Sequence, residues 1–208
     1  MSENMGFVKG QGTKRKIVDA SMELFAQHGY KGTSVRAIAS SVGIKQSALY
    51  NHFANKEAIF MQIATEIFST PFATKSDSAL VEEQAKRGKA FLSKFANEIR
   101  LLAFDKRSEK LFRFMMIEIM QHAQLREQFR ARFHDDNIEY LSTGLFAMMR
   151  ANLIRSCDPM VMAEAFLAPL FYLRFNISLQ KADEKPTANY SKQFEKHLDF
   201  FWDSIKRN

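Results

Sequence analysis

Between Val42 and Phe60 the chain reads VGIKQSALYNHFANKEAIF, which sets amide, hydroxyl, imidazole and ammonium groups within a few residues of one another. Small side chains such as Ser47 and Ala48 let a backbone approach base edges, and the Asn51 amide can bond an adenine edge with both its donor and its acceptor. Tyr50 and His52 can each donate a hydrogen bond to phosphate. The chemistry this stretch suits is recognition of a nucleic acid. Other reactive groups are poorly placed for catalysis. Cys157 has no histidine near it in sequence, so a nucleophile there lacks its base. His134, Asp135 and Asp136 look like part of a metal-dependent hydrolase site, but companion histidines at a recognisable spacing are missing, and a charged helical face explains them as well. Glu118 and His122, four residues apart, would need two further ligands to hold a metal. The expectation is a protein that is not an enzyme and uses no metal or cofactor.

The charge distribution points the same way. Of a formal +7, residues 1–60 carry +4, from Lys9, Lys14, Arg15, Lys16, Lys31, Arg36, Lys45 and Lys56 against Glu3, Asp19, Glu23 and Glu57. A basic head on a nearly neutral body suits a polyanion. A single cysteine excludes a disulfide framework and fits the reducing cytoplasm. The opening MSENMGFVKGQG has no apolar block of the secretory kind, and the apolar run from Ala165 to Leu173 is too short to span a bilayer. The chain is expected to be cytoplasmic, with no membrane partner.

Few glycines after Gly43, few prolines and no strand-like alternation predict an all-α fold. Ile17, Ala20, Ser21, Leu24 and Phe25 share one face of a first helix that stops at Gly29. Thr33 is expected to cap a second helix, with Val35, Ile38, Ala39 and Val42 inward, ending at Gly43. Leu49 and Phe53 define the buried side of a third helix, which leaves Ser47, Ala48 and Asn51 outward at 100° per residue. That pair, braced by the first helix, is a helix-turn-helix candidate. Asn55 is the expected cap of a fourth helix through Ile59, Ile63 and Ile67 to about Thr70, where Pro71 breaks it. Arg36 and Lys56 stand in first turns, where the helix dipole favours an anion beside them.

From Thr13 to about Phe68, with ELFAQHGYKGTSVRAIASSVGIKQSALYNHFANKEAIF at its centre, the sequence closely resembles the DNA-binding domain of the TetR family of transcriptional regulators. The LF and HGY that end the first helix, T-S-V-R-A-I-A, the V-G-I turn, L-Y-x-H-F and N-K-E carry the likeness. The resemblance implies a DNA-binding domain over 11–71 and a helical regulatory, ligand-binding and dimerisation domain over 76–208. It implies that Gln46, Ser47 and Asn51 read bases, that Thr33, Lys45, Tyr50, His52 and Lys56 hold phosphates, and that Arg36 does either. The expected protein is a repressor that binds a palindromic operator on double-stranded DNA as a homodimer and is released by a small hydrophobic effector.

In the body, helices are expected over about 79–104, 108–121 and 124–154, then from Pro159, capped by Asp158, to about Gln180, with a loop at 182–189 and a last helix. FLAPLFYLRFNISL, residues 166–179, is apolar around most of its circumference and needs cover on several sides. The stripe Phe194, Leu198, Phe201, Trp202 and Ile205 is the expected dimer interface; packing within one subunit is the other reading. The Phe- and Met-rich FRFMMIEIM at 112–120 supplies Met115, Glu118 and Ile119 to a candidate effector site, with His122, Met149, Phe171, Arg174 and Phe175. Glu118, His122 and Arg174 could anchor a ligand's polar end, and ordinary core or surface roles suit all eight. The fourth helix is expected to carry a ligand's signal to the head. A body that recruits a protein partner and binds no ligand is the alternative.

Overall fold

A computed structural model of the chain describes residues 3–68 and 77–207. It is helical almost throughout, as the glycine and proline pattern predicts, and an isolated antiparallel bridge between Ile154 and Lys206 is the nearest thing to a strand among the described residues.

The first helix, α1 (Glu3–Gly32), is broken at Gly29, whose φ of 72° and ψ of 168° take the chain out of the helical ladder. α2 (Val35–Val42) follows, and its cap differs from expectation. The Ser34 hydroxyl, not that of Thr33, accepts the Ala37 N–H at 3.1 Å. Thr33 and Ser34 both have the chemistry of a cap, and the turn decides between them. Thr33 is buried, and its hydroxyl is directed at the carbonyls of Leu24, 3.1 Å away, and Gly29, 3.0 Å away. Gly43 closes α2 in the left-handed conformation, φ 74°, where a side chain would be strained. α3 (Gln46–Tyr50) is held down by Leu49, fully buried, and by Phe53 just beyond it. Asn55 caps α4 (Lys56–Phe68) by accepting the Ala58 N–H at 2.8 Å, as expected. Thr70, Pro71 and the start of the KSDS seam lie outside the described residues.

The body's helices are shorter than the sequence predicts. A break at Gly88, φ 56°, divides the expected 79–104 helix into α5 (Ser78–Ala85) and α6 (Lys89–Phe104), and glycine suits it, since a Cβ there would stand 3.0 Å from the Trp202 ring. α7 (Lys106–Glu118) begins at Asp105, whose carboxylate accepts the Ser108 amide at 2.8 Å; that bond holds the Asp105 carboxyl below its ordinary range. The expected 124–154 helix is instead α8 (Ala123–Gln128), a π-helical stretch at Phe129–Asp135, and α9 (Asp136–Arg150). α10 (Pro159–Ala182) starts where Asp158 and Pro159 predict, with the Asp158 carboxylate accepting the Met160 amide at 2.8 Å. By length and composition α10 could cross a membrane, although its longest apolar run is short. α11 (Ala188–Ile205) ends the fold.

The helices group into two compact units, Met1–Ile67 with Lys110–Gln128, and Phe68–Glu109 with Phe129–Asn208. The first unit is built on α1. Phe25 stacks on Phe114 of α7 at 5.5 Å, and Phe60 of α4 meets Phe114 edge-on at 5.6 Å. The second unit packs α5, α6, α9, α10 and α11 around Phe95, Leu141, Phe166, Leu170 and Ile177. Gly144 on α9 lies flat under the Phe91 ring, where any Cβ would collide.

This second core corrects the expected dimer interface. Phe194, Leu198, Phe201 and Ile205 are buried in their own subunit and Trp202 packs against the same cluster, so the stripe is not available to a partner chain. Phe166, which touches both Phe201, at 4.8 Å between ring centres, and His197, is the residue that covers it.

Candidate nucleic-acid interface and effector region

The outward face of α3 is built as its wheel predicts. Leu49 points inward while Lys45, Gln46, Ser47, Tyr50 and Asn51 are exposed and Ala48 and His52 are half-buried. The Gln46 amide reaches the Tyr50 hydroxyl at 3.4 Å, an i,i+4 contact that orders both along one side of the helix. Arg36 is exposed in the first turn of α2. These side chains make a strip of small and amide-bearing groups with cations and hydroxyls beside it, the kind of surface that can approach base edges.

Two expected phosphate contacts are spent inside the unit. Thr33 is only 2% exposed, with its hydroxyl bound to main-chain carbonyls. Lys56 donates its Nζ to the carbonyl oxygens of Tyr30, 2.7 Å, and Thr33, 2.9 Å, and sits 4.2 Å over the Tyr30 ring. Those partners already balance the dipole conflict that made Lys56 look like an anion ligand. These bonds tie Lys56 to the α1–α2 turn.

A cation that the motif reading passed over stands nearer the reading helix. Lys14 on α1 is exposed, with its Nζ 5.2 Å from the centre of the Phe53 ring, just past α3. Its neighbour Arg15 is neutralised by Asp19, 3.5 Å, and Glu66, 3.7 Å. The basic cluster at 14–16 was the visible signal; which of its members meets recognition residues depends on the packing of α1 on α3.

The eight expected effector residues divide between the two units. Met115, Glu118, Ile119 and His122 belong to the first unit, and Met149, Phe171, Arg174 and Phe175 to the second. In the first, Met115 is core and Glu118 is 5% exposed, not a solvated partner of His122. His122 lines a small open cavity of about 230 Å³ with Glu57, Phe60, Met61, Gln121 and Gln124. In the second, Arg174 is fully buried; burial pushes its guanidinium down to about 10, against the attraction of Glu109, itself buried. Phe171, one turn earlier on α10, meets Phe129 and Phe133 of the π-helical stretch edge-on at 5.9 and 5.4 Å, and those two rings stack at 5.1 Å. A groove of about 380 Å³ lies elsewhere in that unit, between α6 and α11, lined by Lys94, Asn97, Arg100, Phe194 and Glu195 among others. Cys157 is half-buried, and burial raises its thiol above the ordinary value, as suits an inert group. Among the described residues no three acidic, histidine or cysteine side chains gather to hold a metal.

Comparison with known proteins matches residues 17–63 to the bacterial regulatory proteins of the tetR family. The HTH-type transcriptional repressor AcnR of Corynebacterium efficiens is 33% identical over 70 residues, 34% of this chain and 37% of that protein. The negative transcriptional regulator IcaR of the Staphylococcus epidermidis biofilm operon icaADBC is 41% identical over 56 residues, 27% of this chain and 30% of that one. The chain thus spans about a third of the length of these curated relatives. Solved structures extend the likeness in fold to the body. A complex of SmeT with triclosan has a TM-score of 0.74 at 19% identity, over 95% of this chain and 93% of the other. NalD, secondary repressor of the MexAB-OprM multidrug efflux pump of Pseudomonas aeruginosa, has a TM-score of 0.71 at 18% identity, over 95% and 98%. The chain carries a TetR-family helix-turn-helix domain and has the all-helical fold of TetR-family regulators.

Proposed function

We propose that the protein is a transcriptional repressor that binds a palindromic operator as a homodimer and is released by a small, largely apolar effector. The observation that carries the reading is the exposed strip on α3, where Gln46, Ser47 and Asn51 face outward with Arg36, Lys45, Tyr50, His52 and now Lys14 around them. One helix of five residues touches few base pairs, so specificity needs a second copy. The surface that suits a second copy is the outer side of α10. Val161, Ala165, Ala168, Tyr172 and Leu179 are all exposed and fall on one line, opposite the buried Phe166, Leu170, Leu173 and Ile177. A helix apolar on two opposite faces needs cover on both.

For the effector, the aromatic group Phe129, Phe133 and Phe171 beside Arg174 is the best-suited region of the second unit. π-helical turns often occur at functional sites, and stacked rings accept a planar ligand. Two proteins of the same fold are a SmeT–triclosan complex and a flavonoid-responsive regulator, FrrA, which favours a phenolic or other aromatic effector. Glu109 already offsets the charge of Arg174, so the effector need not be an anion. The rival body, one that recruits a protein partner, is favoured by the open groove between α6 and α11, whose polar rim suits a peptide.

Three substitutions test the DNA reading. Asn51→Ala should cost about 1–3 kcal/mol at one half-site position and little on random DNA. Lys14→Gln should weaken all sequences and lower the slope of log affinity against log salt by about one unit. Arg15→Gln should leave that slope unchanged, since its charge is already satisfied by Asp19 and Glu66. Equal losses on cognate and random DNA for Asn51→Ala would remove base reading from that residue.

A further inference from the structure

We propose that Glu118 is a positioning residue for DNA recognition: its carboxylate latches the Gly29–Tyr30 turn, and through that turn the end of α7 sets how α2 and α3 are presented. The proposal rests on the DNA-binding reading above and deepens it by naming how the head is regulated.

The turn is where the helical ladder of α1 fails. With Gly29 at ψ 168°, the part-buried Tyr30 amide leaves the helix direction and takes an acceptor outside the helical ladder. It finds Oε1 of Glu118, at 2.9 Å, although the two residues are far apart in sequence. The approach is close: a Cβ added at Gly29 would stand 3.6 Å from the same oxygen. The second oxygen, Oε2, faces Nε2 of His122 at 3.2 Å. The His122 ring in turn packs edge-on against Tyr30, 4.9 Å, and lies tilted against Phe60 of α4, 4.8 Å. On the other side of the turn Lys56 binds the carbonyls of Tyr30 and Thr33. A carboxylate at the end of α7, an imidazole from the turn that follows it and an ammonium from α4 therefore converge on the residues that lead directly into α2.

A carboxylate this deeply buried is costly unless its partners require it, and an apolar side chain of similar size would often serve stability as well. Here the partners are the backbone of the turn and the ring that seals it, so the charge is spent on fixing a main-chain conformation. α7 also starts at Lys106, in the second unit, and ends at Glu118, in the first. α7 is therefore a second helix, beside the fourth expected to carry a ligand's signal, with residues in both units. A displacement of α7 along its axis would draw the carboxylate off the Tyr30 amide, free the turn, and loosen the Ser34 cap and the Arg36 and α3 surfaces that follow it.

The test compares wild type, Glu118→Leu, Glu118→Gln and His122→Phe on the duplex that wild type selects from a random pool and on a random duplex of equal length, with thermal unfolding and amide exchange at Tyr30. Glu118→Leu should lose about 10-fold in affinity for the selected duplex, the order expected for one charged hydrogen bond to a part-buried amide, with faster Tyr30 exchange and little change on the random duplex. Glu118→Gln keeps an acceptor oxygen and should recover most of both. Selected-duplex affinity unchanged in Glu118→Leu, or lost equally on both duplexes, overturns the proposal. If Glu118→Leu does not fold, His122→Phe decides: a loss of about 3-fold confined to the selected duplex supports the latch, and wild-type binding overturns it. A wild type that selects no duplex would instead refute the DNA reading itself.

Discussion

Phe201→Glu will abolish the folded protein, and Tyr172→Glu will leave it folded but monomeric. Phe201 packs against Phe166 with ring centres 4.8 Å apart, inside the core of its own subunit. Truncating a buried Phe costs about 3–5 kcal/mol, and placing an unpaired carboxylate in the same space adds to it. Against a typical total of about 5–15 kcal/mol, that removes most of the stability. Tyr172 is 65% exposed on the outer line of α10, so glutamate there costs the monomer little while placing charge at the centre of the proposed twofold contact. Circular dichroism with thermal melting should show no cooperative transition for Phe201→Glu and a near-wild-type one for Tyr172→Glu. Sedimentation should find Tyr172→Glu monomeric, with operator affinity reduced to that of one half-site. A dimeric Tyr172→Glu would move the interface off this face of α10.

Arg174→Met should destabilise the body by about 1–3 kcal/mol, because it removes a buried cation that attracts the buried Glu109. The double change Arg174→Met with Glu109→Gln should recover a large part of that loss, since removing both charges removes the desolvation they share. Urea unfolding of the four proteins in the cycle measures the coupling; additive losses would mean the two charges do not depend on each other. The sign of the pH effect follows from burial. The Arg174 value near 10 lies below the ordinary 12.5, so in that interval the unfolded chain holds a proton that the folded one has released. Its contribution to stability therefore rises as pH climbs through that range, and at neutral pH the buried charge is a cost that Glu109 reduces.

The head was legible because its signals are local. Gly29 and Gly43 end helices where left-handed backbone is required, Asn55 caps α4, and Leu49 and Phe53 fix which side of α3 faces outward. What could not be read depends on packing between distant segments. Thr33 and Ser34 compete for one cap, and the nearby carbonyls of Leu24 and Gly29 settle the matter. Lys56 has the position of a phosphate ligand, yet the broken end of α1 offers it two carbonyls first. In the body, Phe194, Leu198, Phe201 and Ile205 form an apolar stripe that looks the same in sequence whether it meets its own subunit or another. The outer line of α10, proposed for the second copy, is apolar beyond what an inner face rich in Phe and Leu needs for the core. Glu118 and His122 were visible as a pair at helical spacing, but nothing local shows that the pair reaches back to Tyr30.

Selection of bound duplexes from a random-sequence pool by the purified wild-type protein tests the central claim most directly. The account predicts enrichment of an inverted repeat bound by two protomers, with affinity for it at least about 10³-fold above that for the unselected pool. Enrichment of no sequence over the starting pool, with affinity that depends on salt alone, would contradict it.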